Sequence, residues 1–294
     1  MKNIMKLMRV KHYIKNCLIF LPIFFSQKTL GIDEIFKVIL GFISFSLISS
    51  CIYILNDICD VDKDRNHPTK KDRPIASGEV SIRNAYLLAI ALFIVSLIIN
   101  YISSGFNFIS FGLLLLYFVL NVLYSLGLKN IALVDIVILV SGFLIRLLYG
   151  AEIVDVHISH WLYLTVMSMA FYLGLGKRRN ELGNQGLKTR SVLKKYNYEF
   201  LDKNMYLCLC LTIVFYSLWC IDPNIVKLHP QLLWTIPLVL VICMKYSLTI
   251  EGQSSGDPVD VVLNDKMLMS LIFIYGIVIT WFFYGTTIIG LFRL

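Results

Sequence analysis

The amino-acid sequence predicts an all-α integral membrane protein with nine transmembrane helices, on three observations. First, hydrophobic residues make up 57% of the 294 and charged residues 16%, against about 45–50% and about 25% in soluble domains. With a mean hydropathy of +0.74, the apolar excess is more than one globule can bury, so much of it faces lipid. Second, apolar runs long enough to cross a bilayer core of about 30 Å recur along the whole chain. Third, the basic residues fall in the connections between those runs, as orientation signals do. That distribution argues against nucleic acid as a partner, although the net charge is +8.

The first run, Tyr13–Phe25, is short and holds Pro22. It follows Lys2, Lys6, Arg9, Lys11 and Lys15 as a signal peptide would, but no small-x-small cleavage site follows, so it reads as a retained helix. The others are Ile35–Leu55, Ala85–Ile102, Phe108–Tyr124, Ile131–Tyr149, Trp161–Leu175, Met205–Cys220, Leu232–Ile250 and Leu268–Ile289. The strict alternation of barrel strands is absent. Nine spans put the termini on opposite sides of the membrane. Of the 27 Lys and Arg residues, 22 then lie on the N-terminal side, four (Lys28, Lys37, Lys227, Arg293) on the other, and Arg146 within a span. The asymmetry predicts an inner-membrane protein with a cytoplasmic N-terminus and two long cytoplasmic loops, about 56–84 and 177–203. Nothing is left over for a soluble domain, so residues 1–294 read as one transmembrane domain. The seven cysteines form no Cys-x-x-Cys pair and have no histidine at metal spacing, which makes them inert thiols.

Chemistry is expected in the two long loops. The first opens with Asn56-Asp57-x-x-Asp60-x-x-x-Asp64. On a helix continued past Leu55, with about 100° per residue, Asp60, Asp64 and Asn56 fall at about −60°, about −20° and about −100° from Asp57. Asp62 falls at about +140° and points elsewhere. Carboxylates gathered on one face repel unless a cation neutralises them, and Mg²⁺ takes one or two carboxylates plus substrate phosphates. The bland reading is a solvated helix end paired with Lys63 and Arg65.

An Asn-Asp-x-x-Asp-x-x-x-Asp motif closing a second span resembles the first aspartate-rich motif of the UbiA superfamily, which binds a diphosphate through Mg²⁺. The continuation Asp64-Arg65-Asn66-His67-Pro68-Thr69-Lys70-Lys71-Asp72-Arg73-Pro74-Ile75-Ala76-Ser77-Gly78 resembles the polyprenyl-phosphate phosphoribosyltransferase branch, although the wider superfamily shares part of it. Aromatic prenyltransferases of the superfamily carry a second aspartate cluster after span six. Here that position reads Gly176-Lys177-Arg178-Arg179-Asn180-Glu181, followed by Lys188, Arg190, Lys194 and Lys195, with Glu181 the one nearby carboxylate. Lys and Arg bind a phosphate directly, without a metal bridge. One metal-bound diphosphate and one directly held phosphate therefore fit better than two metal clusters.

Tyr124-Ser125-x-Gly127-Leu128-Lys129 ends span four, and the resemblance implies that Lys129 reaches the diphosphate. Arg146 lies deep in span five, where an ionisable group is costly and marks either a functional site or a structural contact with Asp135 or a carbonyl. Arg9, Lys15 and Asn16 resemble the start of the same branch, with Val10 in place of a proline. Lys245-Tyr246, Gly256-Asp257-Pro258 and Asp265-Lys266 echo its last cytoplasmic loop.

The resemblance implies a UbiA-type bundle that transfers 5-phosphoribosyl from phosphoribosyl pyrophosphate to a polyprenyl phosphate. Asp57, Asp60 and Asp64 would hold Mg²⁺, with Asn56 orienting them. Substrate contacts would come from Lys15, Arg65, Lys70, Arg73, Lys129, Arg146, Lys177, Arg178 and Glu181. No histidine base is needed, because the acceptor phosphate is already anionic near pH 7, its second pKa being about 6. The alternatives are a prenyltransferase using prenyl diphosphate with an aromatic or other acceptor, and a carrier for a phosphorylated lipid. Self-association is left open.

Overall fold

In lipid a backbone must satisfy its own hydrogen bonds, so a chain this apolar is driven to helix. The computed structural model describes residues 2–26, 31–66, 70–185, 191–252, 254 and 256–291, and holds no strand among them. Among the described residues, seven segments are long and apolar enough to cross a membrane: Ile32–Cys59, Ile82–Ser104, Phe108–Leu126, Val134–Ile153, Tyr198–Cys220, Pro230–Glu251 and Lys266–Gly285. These match seven of the nine expected spans.

The other two depart from expectation. Tyr13–Phe25 falls within a 3-10 helix, Val10–Phe20, that passes at Leu21 into a five-residue α-helix. Trp161–Leu175 does lie in an α-helix of 26 residues, His160–Gln185, but it is not among the seven. Its His160, Tyr163, Thr165, Ser168 and Tyr172 dilute the apolar run.

The chain divides into two compact units, Met1–Ile158 and Ser159–Leu294. The first contains α1 (Lys2–Met8), the 3-10 helix, α2 (Leu21–Phe25), α3 (Ile32–Cys59), α4 (Val61–Arg65), α5 (Ile82–Ser104), α6 (Phe108–Leu126) and α7 (Val134–Ile153). Helix α3 is its axis and packs on α5, α6, α7 and the 3-10 helix. Small residues let the α3 and α5 backbones approach, and Ser44 and Ser96 each donate to the other's carbonyl at 2.8 and 2.9 Å. Phe45, Ile48, Tyr117, Ile145 and Tyr149 fill the core beside α3.

In a 3-10 helix side chains three apart eclipse. Tyr13, Asn16 and Ile19 therefore share one edge and run along α3. Tyr13 Oη meets Ser50 Oγ at 2.8 Å, and Asn16 Nδ2 donates to Ser46 Oγ at 3.0 Å. His12 packs beside Tyr53, the rings tilted at 47° with centroids 5.6 Å apart. Below them Gly150 of α7 lies so close to the Ile19 backbone carbonyl that a Cβ there would collide with it.

The second unit contains α8 (His160–Gln185), α9 (Tyr198–Cys220), α10 (Pro223–Val226), α11 (Ile236–Glu251), α12 (Pro258–Asn264) and α13 (Lys266–Leu291). Helix α8 packs on α9 and α11. Its stripe Tyr172, Gly176, Asn180 faces α11: Tyr172 Oη lies 2.6 Å from Ser247 Oγ, and Asn180 Nδ2 donates to Ile250 O at 2.8 Å.

Candidate active site

The acidic motif closes α3, but the helix breaks at Asp60, whose φ of −100° and ψ of 8° separate α3 from α4. Asp57 and Asp64 still face inward, with side chains 3% and 5% exposed, while Asp62 is 88% exposed. The one-face expectation thus holds for the pair and for the exclusion of Asp62.

Each inward carboxylate is neutralised by a cation. Arg73 Nη1 bridges Asp57 Oδ1 at 3.0 Å and Asp64 Oδ2 at 2.6 Å. Arg9 Nη2 adds a 2.5 Å bond to the same Asp57 oxygen, and its guanidinium lies over the Tyr53 ring at 4.9 Å. Lys129 Nζ is 2.8 Å from both oxygens of Asp60. Asp60 therefore turns away from the other two, and among the described residues no group of three or more His, Cys, Asp and Glu is placed to hold a metal. Asp57 and Asp64, by contrast, converge on a single nitrogen. A cationic centre held by two carboxylates, with its remaining positions open to phosphate oxygens, suits Mg²⁺, so this donor set fits the metal with two ligands. The Asn56 side chain makes its bond elsewhere: its Oδ1 accepts from Ser125 Oγ at 3.0 Å and joins α3 to the end of α6.

The other expected residues of this unit separate. Arg65 is exposed and, among the described residues, pairs with Asp62 at 3.4 Å, because both lie beyond the break, on the solvent face of α4. Lys15 and Lys70 are half-buried, on the 3-10 helix and the loop after α4. Residues 67–69 of the motif lie outside the described residues. Arg146 is buried in the unit's core. It donates to Asn16 Oδ1, Gly142 O and Tyr117 Oη at 2.7 Å each and lies over the Tyr117 and Phe45 rings. Among the described residues none of these partners is a carboxylate, and Asp135 is not one of them. The geometry is that of a clamp joining α6, α7 and the 3-10 helix.

In the second unit, Lys177 and Arg178 have opposite surroundings. The Arg178 side chain is 0% exposed and bonds Glu181 at 2.6 Å on its own helix. Lys177 is partly exposed, and its Nζ lies 3.3 Å from Asp257 Oδ2. Consecutive residues on a helix point about 100° apart, so one enters the packed side and the next the opening. Asn180 Nδ2 also meets Ser254 Oγ at 2.6 Å, Arg179 pairs with Asp202, and Tyr206 bonds Glu251. Lys188 and Arg190 lie outside the described residues. A cavity beside α12 is lined by Thr249, Ser254, Asp260, Asn264 and Asp265. Its Asp265 accepts from Lys245 at 2.7 Å and Thr249 at 2.6 Å, contacts that hold its carboxyl well below the usual range.

Sequence reasoning left Arg9, Asp257 and Tyr246 outside the site. Arg9 had a signal, because it precedes Tyr13 and Asn16 in a basic leader, but its partner is 48 residues away.

A sequence profile of the UbiA prenyltransferase family matches residues 18–272. The decaprenyl-phosphate phosphoribosyltransferase of Mycolicibacterium smegmatis is 32% identical over 286 residues, covering 92% of this chain and 88% of that protein. The enzyme of the same name from Corynebacterium glutamicum is 28% identical over 280 residues, covering 92% and 83%. A UbiA homologue from Archaeoglobus fulgidus bound to DMAPP and Mg²⁺ superposes with a TM-score of 0.69 at 18% identity, covering 94% of this chain and 98% of that one. That likeness extends the all-helical fold over nearly the whole chain.

Proposed function

This chain belongs to the UbiA prenyltransferase family, and from that premise we propose that it transfers 5-phosphoribosyl from phosphoribosyl pyrophosphate to a polyprenyl phosphate, releasing pyrophosphate. The observation that carries the choice of substrates is the state of Glu181. It is the one carboxylate at the place of the family's second aspartate cluster, and a fully buried Arg178 already holds it at 2.6 Å. A second metal would have to take Glu181 from that arginine, and breaking a buried ion pair is strongly unfavourable. Lys177 beside it can receive a phosphate directly.

In the first unit Asp57 and Asp64 would hold Mg²⁺. The metal supplies charge neutralisation for the pyrophosphate that departs as the anomeric carbon becomes oxocarbenium-like. With Asp57 and Asp64 holding Mg²⁺, Arg73 and Arg9, which bond those carboxylates in this structure, would be available to the pyrophosphate oxygens. Lys129, held by Asp60, provides a further cation in the same unit. The acceptor phosphate needs orientation rather than deprotonation, which leaves no task for a histidine. The Lys/Arg distribution supports an inner-membrane location with a cytoplasmic N-terminus, where a cytosolic sugar phosphate is within reach.

The test is pyrophosphate release by the detergent-purified chain from phosphoribosyl pyrophosphate, with and without a short-chain polyprenyl phosphate. Release should require the lipid, stop in EDTA and return with Mg²⁺. Release from a prenyl diphosphate with an aromatic acceptor, and none from phosphoribosyl pyrophosphate, would replace this reading.

A further inference from the structure

Tyr246 lies on the buried edge of α11, with Cys243 and Ile250. It is 3% exposed, and its ring packs 5.7 Å from Tyr172 of α8. Among the described residues its buried hydroxyl has no hydrogen-bond partner. Buried hydroxyls almost always have an acceptor, and leaving one without is costly. This one is therefore an unfilled donor.

Its surroundings say what would fill it. One turn along α11, Ile250 packs on Gly176 and accepts from Asn180, which brackets Lys177 on α8. The following turn is pressed against the same stretch. At Gly256, φ is 73°, and a Cβ would come within 2.8 Å of Asn180 Cβ and 3.3 Å of Lys177 Cα. The next residue, Asp257, places its carboxylate 3.3 Å from Lys177 Nζ. That ion pair is long, and its lysine and aspartate side chains are 27% and 15% exposed, so solvent screens it. A cation, a loosely held anion and an unused donor are thus gathered at one end of α8 and α11.

We propose that Lys177 and Tyr246 form a phosphate site in which the Asp257 carboxylate stands in for the anion when the substrate is away. On binding, a phosphate oxygen takes Lys177 from Asp257 and accepts the Tyr246 O–H. No covalent step is involved. The inference deepens the proposed function, since it names the groups that hold a phosphate without metal. Two phosphates of that reaction share this chemistry, the lipid phosphate of the acceptor and the 5-phosphate of the donor.

The experiment measures binding to the full chain in detergent and EDTA, with a short-chain polyprenyl phosphate in one arm and phosphoribosyl pyrophosphate in the other. Tyr246→Phe removes only the oxygen. Without ligand its Tm should equal or exceed that of the wild type, because no bond is lost. Its Kd should rise about tenfold, which is about 1.4 kcal/mol, for one probe and stay within twofold for the other, and the probe that moves names the phosphate. Asp257→Asn keeps an oxygen to accept from Val259 N at the start of α12 but removes the competing charge, so it should bind that same probe more tightly. The proposal is overturned if Tyr246→Phe leaves both affinities unchanged or lowers the ligand-free Tm by several degrees, or if Asp257→Asn weakens binding. These readouts need no turnover, so a wild type that releases no pyrophosphate would sink the reaction and not the site.

Discussion

The charged regions of the two units are opposite in sign. In the first unit the carboxylates of Asp57, Asp60 and Asp64 are held by cations from other segments: Arg9, Arg73 and Lys129. In the second, cations on α8 are held by anions, Arg178 by Glu181 of the same helix and Lys177 by Asp257 from beyond α11. The pairs differ in how firmly they are held. Arg178 and Glu181 sit three residues apart on one helix with the arginine wholly buried, so that pair is part of the packing. The others join distant segments and keep some exposure, so a ligand can exchange with them. Pair by pair, burial separates the structural charges from those a substrate can claim.

Four measurements can break or sharpen that contrast. The largest effect is expected at the buried pair: Arg178→Ala should destabilise the protein by about 3–5 kcal/mol, because Glu181 is left charged and buried. Arg178→Ala combined with Glu181→Ala should recover part of the loss in a thermal or denaturant titration. A stable, merely inactive Arg178→Ala would instead make Arg178 a substrate ligand. Next come Asp57→Asn and Asp64→Asn, each expected to cost more than about 100-fold in kcat/KM, since changing even outer-shell partners of a metal costs about 10–100-fold. Asp62→Asn, measured alongside as the exposed control, should stay within about twofold of wild type. Equal losses at all three would return the motif to a solvated helix end.

Third, the helix contacts differ as the charges do. A methyl at Gly150 meets a backbone carbonyl, whereas one at Gly176 meets the tip of the Ile250 side chain at 2.5 Å, which can rotate away. Gly150→Ala should cost about 1–3 kcal/mol or more and Gly176→Ala clearly less, as read from Tm. Comparable losses would put the rigid contact in the wrong unit. The smallest effect is Lys177→Ala, with a loss of about tenfold in kcat/KM, the low end for a charge-assisted contact. Its Tm should hold and its Mg²⁺ optimum should not move.

Seven spans were legible because continuous hydropathy over about 20 residues reports lipid exposure directly. The start of the chain was not, because a three-residue period answers to neither the helix nor the strand template, and Arg9, Tyr13 and Asn16 look like a basic leader until α3 is placed beside them. The acidic face was legible from spacing on an ideal helix. The break at Asp60 and its pairing with Lys129 were not, because an ideal-helix spacing carries no sign of a break and the partner lies 69 residues further along. Lys177 and Arg178 are equivalent as letters; which one is buried is decided by the packing faces of α9 and α11.

One consequence of the 3-10 helix concerns length. It climbs about 2.0 Å per residue against about 1.5 Å for the α-helix beside it. From Arg9 to Asn16 it covers about 14 Å, while α3 from Asp57 back to Ser46 covers about 16.5 Å. The two scales stay matched over this stretch, and the long Arg9 side chain takes up the remainder. The segment works as a ruler that sets how far Arg9 stands from the anchorage of Asn16 and Ile19. Removing one residue between Val10 and Lys15 would rotate every mark on it by a third of a turn and withdraw Arg9 from Asp57. Removing three would keep the marks aligned but leave the ruler about 6 Å short.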